Sequence, residues 1–328
     1  MSNKGSLYKV VSTNEDFSST LQVRTLYIRF KDRYDRFNHK GSRWLARAYT
    51  ASLRRYLSKR PHIDYKHKDN WARKLSYIPS GFRAWAEYMP GGFATYYVYE
   101  PYHKRMANGM RLDGITKRLF RHGIEGSGIR NRAYVLSYLV NQQMAHGDVT
   151  RRWLSIGCGT GQPTFDAAKQ LPAESKAESE VILVDKDEIV LDFAKSLYDH
   201  QAAELPRVKF RSEDILSPNA FDRITGQQQV DIVDIYGMFE YLDDRQSVQL
   251  LSEAYGALRE GGMLIFSNMD VFRPDYDINQ RVIGWPALIL RSPKEMLQII
   301  TDAGIVRDEV RFIRTQDEIN NIFEVVKK

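Results

Sequence analysis

From about residue 150 onward, short apolar runs alternate with amphipathic stretches. Strands are predicted at 153–156, 181–185, 208–212, 230–236 and 263–268. Helical stretches separate most of these runs, for example at 164–170 and 189–200. Such alternation predicts a parallel sheet with helices on both faces. Two further runs, 310–315 and 319–328, are close enough in sequence to form a terminal antiparallel hairpin.

Residues 1–125 have a different pattern. Residues 43–59 predict a helix that ends before Pro61. Its apolar positions follow helical spacing on one face: Trp44, Leu45, Ala48, Tyr49, Leu53, Tyr56 and Leu57. A second helix is predicted to begin near Ser127. We therefore predict two domains, a mostly helical cap or substrate region over 1–125 and an α/β domain over 126–328.

Charge is distributed unevenly between these regions. Residues 1–125 hold 25 of the 48 basic residues, 10 of the 41 acidic ones and 12 of the 19 tyrosines. This asymmetry indicates that the two regions have different partners. The single cysteine excludes an intramolecular disulfide, and the sequence has neither a signal-peptide pattern nor a long apolar run. We expect a cytoplasmic protein, with peripheral contact at a membrane surface as an open alternative.

A glycine-rich turn follows the predicted strand 153–156. Its sequence is Gly157-Cys158-Gly159-Thr160-Gly161. Glycines permit a tight turn and a close approach of a ligand to the backbone, and the N–H groups of a following helix favour an electronegative group. The GxGxG spacing differs from the GxGxxG of dinucleotide-binding folds, and the GK[ST] ending of a P-loop is missing.

Two acidic residues follow the next two predicted strands. Asp185 comes 24 residues after Gly161, and its carboxylate can accept two hydrogen bonds from a ribose diol. Asp214 can accept a hydrogen bond from an adenine amino group, and Ile215 can supply an apolar wall. Each aspartate alone could be an ordinary turn or capping residue. Their order at successive strand ends predicts a nucleoside-containing cofactor.

With these motifs, residues 150–328 resemble the class I S-adenosylmethionine (SAM) dependent methyltransferase superfamily. The resemblance includes the strand at 230–236 and the run at 261–266. It implies a three-layer α/β/α, Rossmann-like fold with a seven-stranded, mostly parallel sheet and an antiparallel terminal strand. It also implies SAM as cofactor, with Tyr236 beside the methionine part and Cys158 as a packed turn residue. The predicted cofactor-binding residues are Gly157, Cys158, Gly159, Thr160, Gly161, Asp185, Lys186, Asp214, Ile215, Tyr236 and Arg130.

A second resemblance covers residues 128–132 and the segment from Asn268 onward. Both are similar to a poorly characterised bacterial methyltransferase family, some members of which are fused to hydrolase domains. This similarity implies a role in the site for Arg130, Arg132, Asn268, Arg281, Trp285 and Arg291. Arg130 could pair with the SAM carboxylate. The alternative is that the two arginines of residues 128–132 lie on a solvated helix face.

Methyl transfer needs little acid–base help when the donor is already activated and the acceptor is aligned. If a base is used, the candidates are Tyr236 and Glu240, although Glu240 could equally be an acid in the first turn of a helix. Tyr97, or Tyr99, and His103 could reach a substrate if residues 1–125 cover the site. No His, Cys, Asp and Glu cluster has the spacing of metal ligands.

The predicted function is methyl transfer to a small-molecule or lipid-like acceptor. The basic N-terminal region could close the pocket as a cap, contact an anionic membrane surface or bind nucleic acid. RNA methylation, aminopropyl transfer and non-catalytic SAM binding therefore stay open as alternatives. The sequence leaves the acceptor, the methylated atom (O, N or C) and the oligomeric state open.

Overall fold

The computed structural model describes residues 7–34, 40–145 and 152–328. In this part of the chain, nine strands form one sheet in the order β1-β2-β8-β9-β7-β6-β3-β4-β5. The strands are β1 (Tyr8–Ser18), β2 (Val23–Asp32), β3 (Arg152–Ile156), β4 (Glu180–Asp185), β5 (Arg207–Ser212), β6 (Val230–Ile235), β7 (Leu258–Met269), β8 (Val310–Thr315) and β9 (Asn320–Val326).

Helices precede the central strands and alternate with them. They are α1 (Lys40–Ser58), α2 (Trp71–Ser76), α3 (Ser80–Ala86), α4 (Gly92–Tyr99), α5 (Gly114–His122), α6 (Ile124–Ala145), α7 (Gln162–Ala168), α8 (Ala173–Glu178), α9 (Glu188–Asp199), α10 (Ala220–Thr225), α11 (Asp244–Ala257), α12 (Tyr276–Ile278) and α13 (Pro293–Asp302). A π-helical segment, Asn279–Ile283, follows α12 directly.

The centre of the sheet has the predicted α/β arrangement. Strands β3 to β7 pair in parallel, and β9 lies antiparallel between β7 and β8. The inner strands β4 and β6 are almost wholly buried, because helices cover a parallel sheet on both faces. The predicted mostly parallel sheet with an antiparallel terminal strand is confirmed.

The sheet has nine strands rather than the expected seven. The two additional strands, β1 and β2, lie beyond β8, and β2 pairs with β8 in parallel from Arg24 to Ile28. Val23, Ile28 and Phe30 are buried, while exposed polar or aromatic residues come between them. This is the alternation of a strand that covers a core with one face. The helical character expected for residues 1–125 therefore begins only at α1.

The contacts define two compact units, each discontinuous in sequence. The sheet unit comprises Val10–Arg29, Arg132–Phe272 and Leu288–Lys328. The helical unit comprises Phe30–Asn131, Arg273–Ala287 and the described residues before Val10. The functional division at residue 125 stays a prediction.

Helix α1 belongs to the helical unit, and its predicted apolar face is only partly buried. Leu53 and Leu57 pack in a small core that also contains Ala72, Ile278 and Val282. At the start of α1, Trp44 and Leu45 are instead 68% and 60% exposed. None of the helices in the described ranges is long and apolar enough to cross a membrane.

Candidate functional site

The glycine-rich turn directly follows β3. Gly157, Gly159 and Gly161 all have positive φ angles, of 60°, 53° and 68°. A Cβ atom on Gly157 would lie 2.4 Å from Sδ of Met238. The positive φ angles therefore disfavour larger residues in this turn, and a side chain at position 157 would also have to displace that of Met238.

Asp185, at the end of β4, holds this turn in place. One carboxylate oxygen accepts a 2.8 Å hydrogen bond from the Gly159 N–H, and the other accepts one from the Asp187 N–H. Each carboxylate oxygen can accept more than one hydrogen bond. Asp185 therefore retains acceptor capacity beside the turn, as its predicted contact with a ribose diol requires.

The segment after β5 places Asp214 at the surface and Ile215 in the interior. Asp214 accepts a hydrogen bond from the Leu216 N–H and is otherwise exposed, whereas Ile215 is 5% exposed. Lys186, which follows Asp185, is also exposed. The contacts predicted for all three residues stay predictions.

Four neighbouring strands end in these candidate residues. In the sheet order β5-β4-β3-β6, the strand ends lead to Asp214, Asp185, the glycine turn and Tyr236. Neighbouring strands lie about 4.8 Å apart, so this row extends over roughly 14 Å. The sheet therefore forms an elongated site at the carboxyl ends of its strands, where open α/β sheets bind their ligands.

Tyr236 ends this row beside Arg132, which comes from α6. The Arg132 guanidinium carbon lies 5.5 Å from the centre of the Tyr236 ring. Burial raises the pKa of Tyr236, and the nearby Asp234 raises it further. The hydroxyl therefore stays protonated at neutral pH, which fits a hydrogen-bond donor better than the predicted general base.

Glu240, the other candidate base, lies in the one-turn helix Phe239–Tyr241 and is 1% exposed. Its main-chain carbonyl accepts a hydrogen bond from the Ile289 N–H. Because the side chain is enclosed, direct contact with an acceptor would require local opening. Its catalytic role stays a prediction with no geometric support.

Asp234, the penultimate residue of β6, was missed by the sequence reasoning. It is 3% exposed and accepts hydrogen bonds from Trp153 Nε1 (2.6 Å) and Ser155 Oγ (2.9 Å). Ser155 Oγ in turn lies 3.1 Å from Thr164 Oγ1 in α7. Burial raises the pKa of Asp234 to about 7. The only sequence signal was the presence of two acidic residues, Asp231 and Asp234, in a strand whose other residues are apolar.

Two other residues of the turn are packed against the protein. The N–H of Cys158 donates to the carbonyl of Val184, and burial raises the pKa of its thiol well above the usual value. Thr160 is 4% exposed. Cys158 is thus suited to packing rather than to nucleophilic chemistry, because thiols react as thiolates.

Arg130 lies in the interior of the helical unit. It is fully buried, and its Nε donates to Asp32 at 2.6 Å. Its terminal nitrogens donate to the main-chain carbonyls of Val98, Phe120 and Arg121. These contacts give Arg130 a structural role, and the predicted pairing with a cofactor carboxylate gains no support from them.

Tyr97 and His103 belong to an aromatic cluster in the helical unit. The Tyr97 hydroxyl accepts a hydrogen bond from the Ala107 N–H, and burial raises its pKa to about 12. His103 Nε2 lies 2.7 Å from the Tyr96 hydroxyl, and burial lowers the pKa of His103. The structure thus brings these two predicted substrate residues together in the helical unit.

Arg281 and Trp285 also lie in the helical unit. Arg281 donates to the carbonyls of Arg60 and Ile63, and it pairs with Asp277. The ring of Trp285 lies 6.3 Å from that of Trp85. Both residues therefore contribute to the packing of this unit, and their role toward a substrate stays a prediction.

Asn268 and Arg291 brace the segment that follows β6. Arg291 is 3% exposed and donates to the carbonyls of Phe239 and Leu242. Asn268 is fully buried and donates to the carbonyl of Ile289. They therefore position the backbone of the sheet unit close to Glu240, and direct contact with a substrate stays a prediction.

Comparison with known proteins identifies the domain. Residues 154–264 match a family model described as a methyltransferase domain, a segment that contains the glycine turn, Asp185, Asp214 and Tyr236. The match covers 111 of the 328 residues, and this segment is similar to the methyltransferase-domain family. No curated protein matches the chain in sequence.

Several solved structures are similar to this chain at low sequence identity. A possible exported protein from Bordetella parapertussis is 16% identical, with a TM-score of 0.58 over 86% of this chain and 96% of that chain. Magnesium protoporphyrin IX methyltransferase from Synechocystis PCC 6803 with bound SAM is 14% identical, with a TM-score of 0.48 over 76% of this chain and 98% of that one. An O-methyltransferase family protein from Burkholderia thailandensis is 14% identical, with a TM-score of 0.45 over 63% and 60%.

Proposed function

We propose that this protein transfers the methyl group of SAM to a small-molecule or lipid-like acceptor. The observation that carries the proposal is the row of candidate residues at four adjacent strand ends, inside a domain of the methyltransferase family. The left-handed backbone of the glycine turn and the remaining acceptor capacity of Asp185 fit the nucleoside part of SAM. When bound, SAM would supply an electrophilic methyl group on its sulfonium.

In this proposal, Asp185 binds the ribose and the backbone of the glycine turn faces the cofactor. Asp214 and Ile215 bind the adenine, and Tyr236 lies next to the methionine part. The buried network around Asp234 keeps β3, β6 and α7 in register beneath the turn. The protein thus contributes mainly binding and alignment to the reaction.

Calorimetric titration with SAM and S-adenosylhomocysteine, with NAD and ATP as controls, tests the cofactor. We expect micromolar binding of the first two alone. Asp185→Ala should weaken SAM binding by about 1–3 kcal/mol, because a charged hydrogen-bond partner is lost. If Asp185→Ala binds SAM as tightly as the wild type, the ribose assignment is wrong. SAM binding without turnover on any acceptor tested would instead favour a regulatory SAM-binding protein.

The proposal of a lipid-like acceptor is based on the exposed surface of α1 and α2. Helix α1 contains five basic residues and no acidic one. Besides Trp44 and Leu45, the α2 region exposes Trp71, Leu75 and Ile78 by 54–64%. A hydrogen bond of 2.6 Å between Tyr49 Oη and Ser76 Oγ ties the two helices together.

Basic residues beside exposed aliphatic and aromatic side chains suit an anionic membrane surface. Nucleic-acid binding would use the aromatic rings for stacking but gives no role to the exposed leucines and isoleucine. We therefore favour a lipid surface, reached from the cytoplasm, over RNA.

Sedimentation with vesicles of anionic and of zwitterionic lipid tests this surface. We expect retention on the anionic vesicles, lost in a Trp44→Ser, Leu45→Ser double variant. Ile189→Ser is the matched control, because Ile189 is 73% exposed on α9 of the sheet unit. Salt-sensitive retention of single-stranded RNA without vesicle binding would favour the RNA alternative.

A further inference from the structure

Arg132 and Tyr236 form a polar pair with unused hydrogen-bonding groups at the end of β6. Among residues 7–34, 40–145 and 152–328, Arg132 has neither a hydrogen bond nor an ion pair to another residue. In the same part of the chain, the buried Tyr236 hydroxyl also lacks a hydrogen-bond partner. Arg132 itself is only partly exposed.

Unused donors at partly enclosed positions are costly. A buried polar group without a partner costs about 1–3 kcal/mol, and most such groups in folded proteins are satisfied. An arginine offers five N–H donors in a planar fork that matches a carboxylate. Two donors of this kind side by side therefore point to an anionic ligand with at least two oxygen atoms.

The position of the pair identifies the ligand. A Cβ atom on Gly237 would lie 3.3 Å from a terminal nitrogen of Arg132, which places the guanidinium against the backbone that follows β6. Met238, one residue later, packs on Gly157 of the turn. The pair therefore lies at the opposite end of the four-strand row from Asp214.

We propose that Arg132, assisted by the Tyr236 hydroxyl, binds the carboxylate of the methionine part of the cofactor. This inference rests on the proposed function, in which adenine and ribose occupy the β5 and β4 ends of the row. The amino-acid part then extends past the glycine turn to β6, where Arg132 and Tyr236 supply the missing donors. The carboxylate contact expected for Arg130 is thereby assigned to the arginine two positions later.

The test compares S-adenosylhomocysteine with 5′-methylthioadenosine, which keeps the nucleoside and the sulfur but lacks the amino-acid part. In Arg132→Gln, we expect the calorimetric Kd for S-adenosylhomocysteine to rise roughly 10- to 100-fold. The Kd for methylthioadenosine should change less than about threefold. Arg132→Lys should recover part of the loss, because it keeps the charge but not the fork.

Two further variants sharpen the result. Tyr236→Phe removes only the hydroxyl and should weaken S-adenosylhomocysteine alone, by less than Arg132→Gln does. Arg211→Gln is the matched control, because Arg211 is exposed at the end of β5, and it should leave both affinities unchanged.

Each outcome decides a different claim. Equal losses for both ligands in Arg132→Gln would mean that Arg132 supports the turn, and unchanged affinities would place the carboxylate elsewhere. Either result overturns this inference while leaving the proposed function intact. If the wild type binds methylthioadenosine and neither SAM nor S-adenosylhomocysteine, the proposed function itself is wrong.

Discussion

The carboxyl ends of β3 to β6 and the interior of the helical unit use their polar groups differently. At the strand ends, Asp185, Arg132 and Tyr236 retain hydrogen-bonding capacity. In the helical unit, Arg130 and Arg281 donate to carboxylates and to main-chain carbonyls of their own unit. Unused capacity marks groups that are available to a ligand, whereas satisfied groups hold the fold together.

The two arginines of α6 show this contrast over the shortest distance. Arg130 and Arg132 are two residues apart, so their side chains diverge by about 200° around the helix axis. Arg130 is buried in an ion pair with Asp32, whereas the Arg132 guanidinium lies over the Tyr236 ring. Substitution of Arg130 should therefore lower the stability of the protein, whereas substitution of Arg132 should weaken cofactor binding.

The largest effect is expected for Arg130→Gln. Removal of one partner from a buried ion pair leaves the other charge uncompensated, which should lower the free energy of unfolding by about 3–5 kcal/mol. Urea unfolding measures it, with Arg132→Gln as the comparison. Similar losses of stability in both variants would contradict the division between a structural and a ligand-binding arginine.

Substitution of Asp234 should have the next largest effect. It should change how the free energy of unfolding depends on pH. Burial raises its pKa to about 7 in the folded protein, above the unfolded value of about 3.9. The folded state thus binds the extra proton between about pH 4 and pH 7, and its stability falls as the pH rises through this window.

Asp234→Asn removes this dependence. Its stability relative to the wild type should therefore increase between pH 5 and pH 8, by an amount on the order of a few kcal/mol. Urea titrations at the two pH values give the comparison. Parallel changes in both proteins would show that Asp234 does not carry this proton.

Gly157→Ala should have a smaller effect on stability and a clear one on binding. A left-handed conformation costs a non-glycine residue about 1–2 kcal/mol, and the added Cβ would also displace Met238. We expect SAM affinity to fall at least tenfold by calorimetry. Gly256→Ala is the control, because nothing lies within 4 Å of its added Cβ. Normal SAM affinity in Gly157→Ala would exclude the turn from the site.

Trp44→Ala should have the smallest effect on stability, within about 0.5 kcal/mol, because its side chain is mostly exposed. Leu57→Ala, on the same helix but 1% exposed, should cost about 2–5 kcal/mol. Thermal unfolding compares them. A large loss of stability in Trp44→Ala would mean that Trp44 packs within the protein and is unavailable to a membrane.

The predicted strands β3 to β6 and β8 agree with the structure within one or two residues. Buried runs flanked by helical periodicity are the patterns that sequence reasoning detects best. Strand β2 was not predicted, because the consecutive buried residues Thr25 and Leu26 break the strict alternation that indicates a half-buried strand.

The glycine turn and Asp185 were found because strand order places them at one edge of the sheet. The position of Arg130 could not be predicted in this way. Helical periodicity gives relative directions around α6 but not the direction of the core, and Asp32, its partner, is 98 residues away in the sequence. Asp234 was missed because the three-residue separation of Asp231 and Asp234 places them on opposite faces of β6, where they form no recognisable motif.

The pairing of β2 with β8 has a practical consequence for attempts to isolate the predicted α/β domain. A fragment that starts at residue 126 would lack β1 and β2, and the backbone N–H and C=O groups of β8 would lose their partners on that side. Exposed strand edges of this kind recruit other chains. The fragment would thus be prone to aggregate even if its cofactor site were intact, so a soluble truncation has to retain residues 7–34.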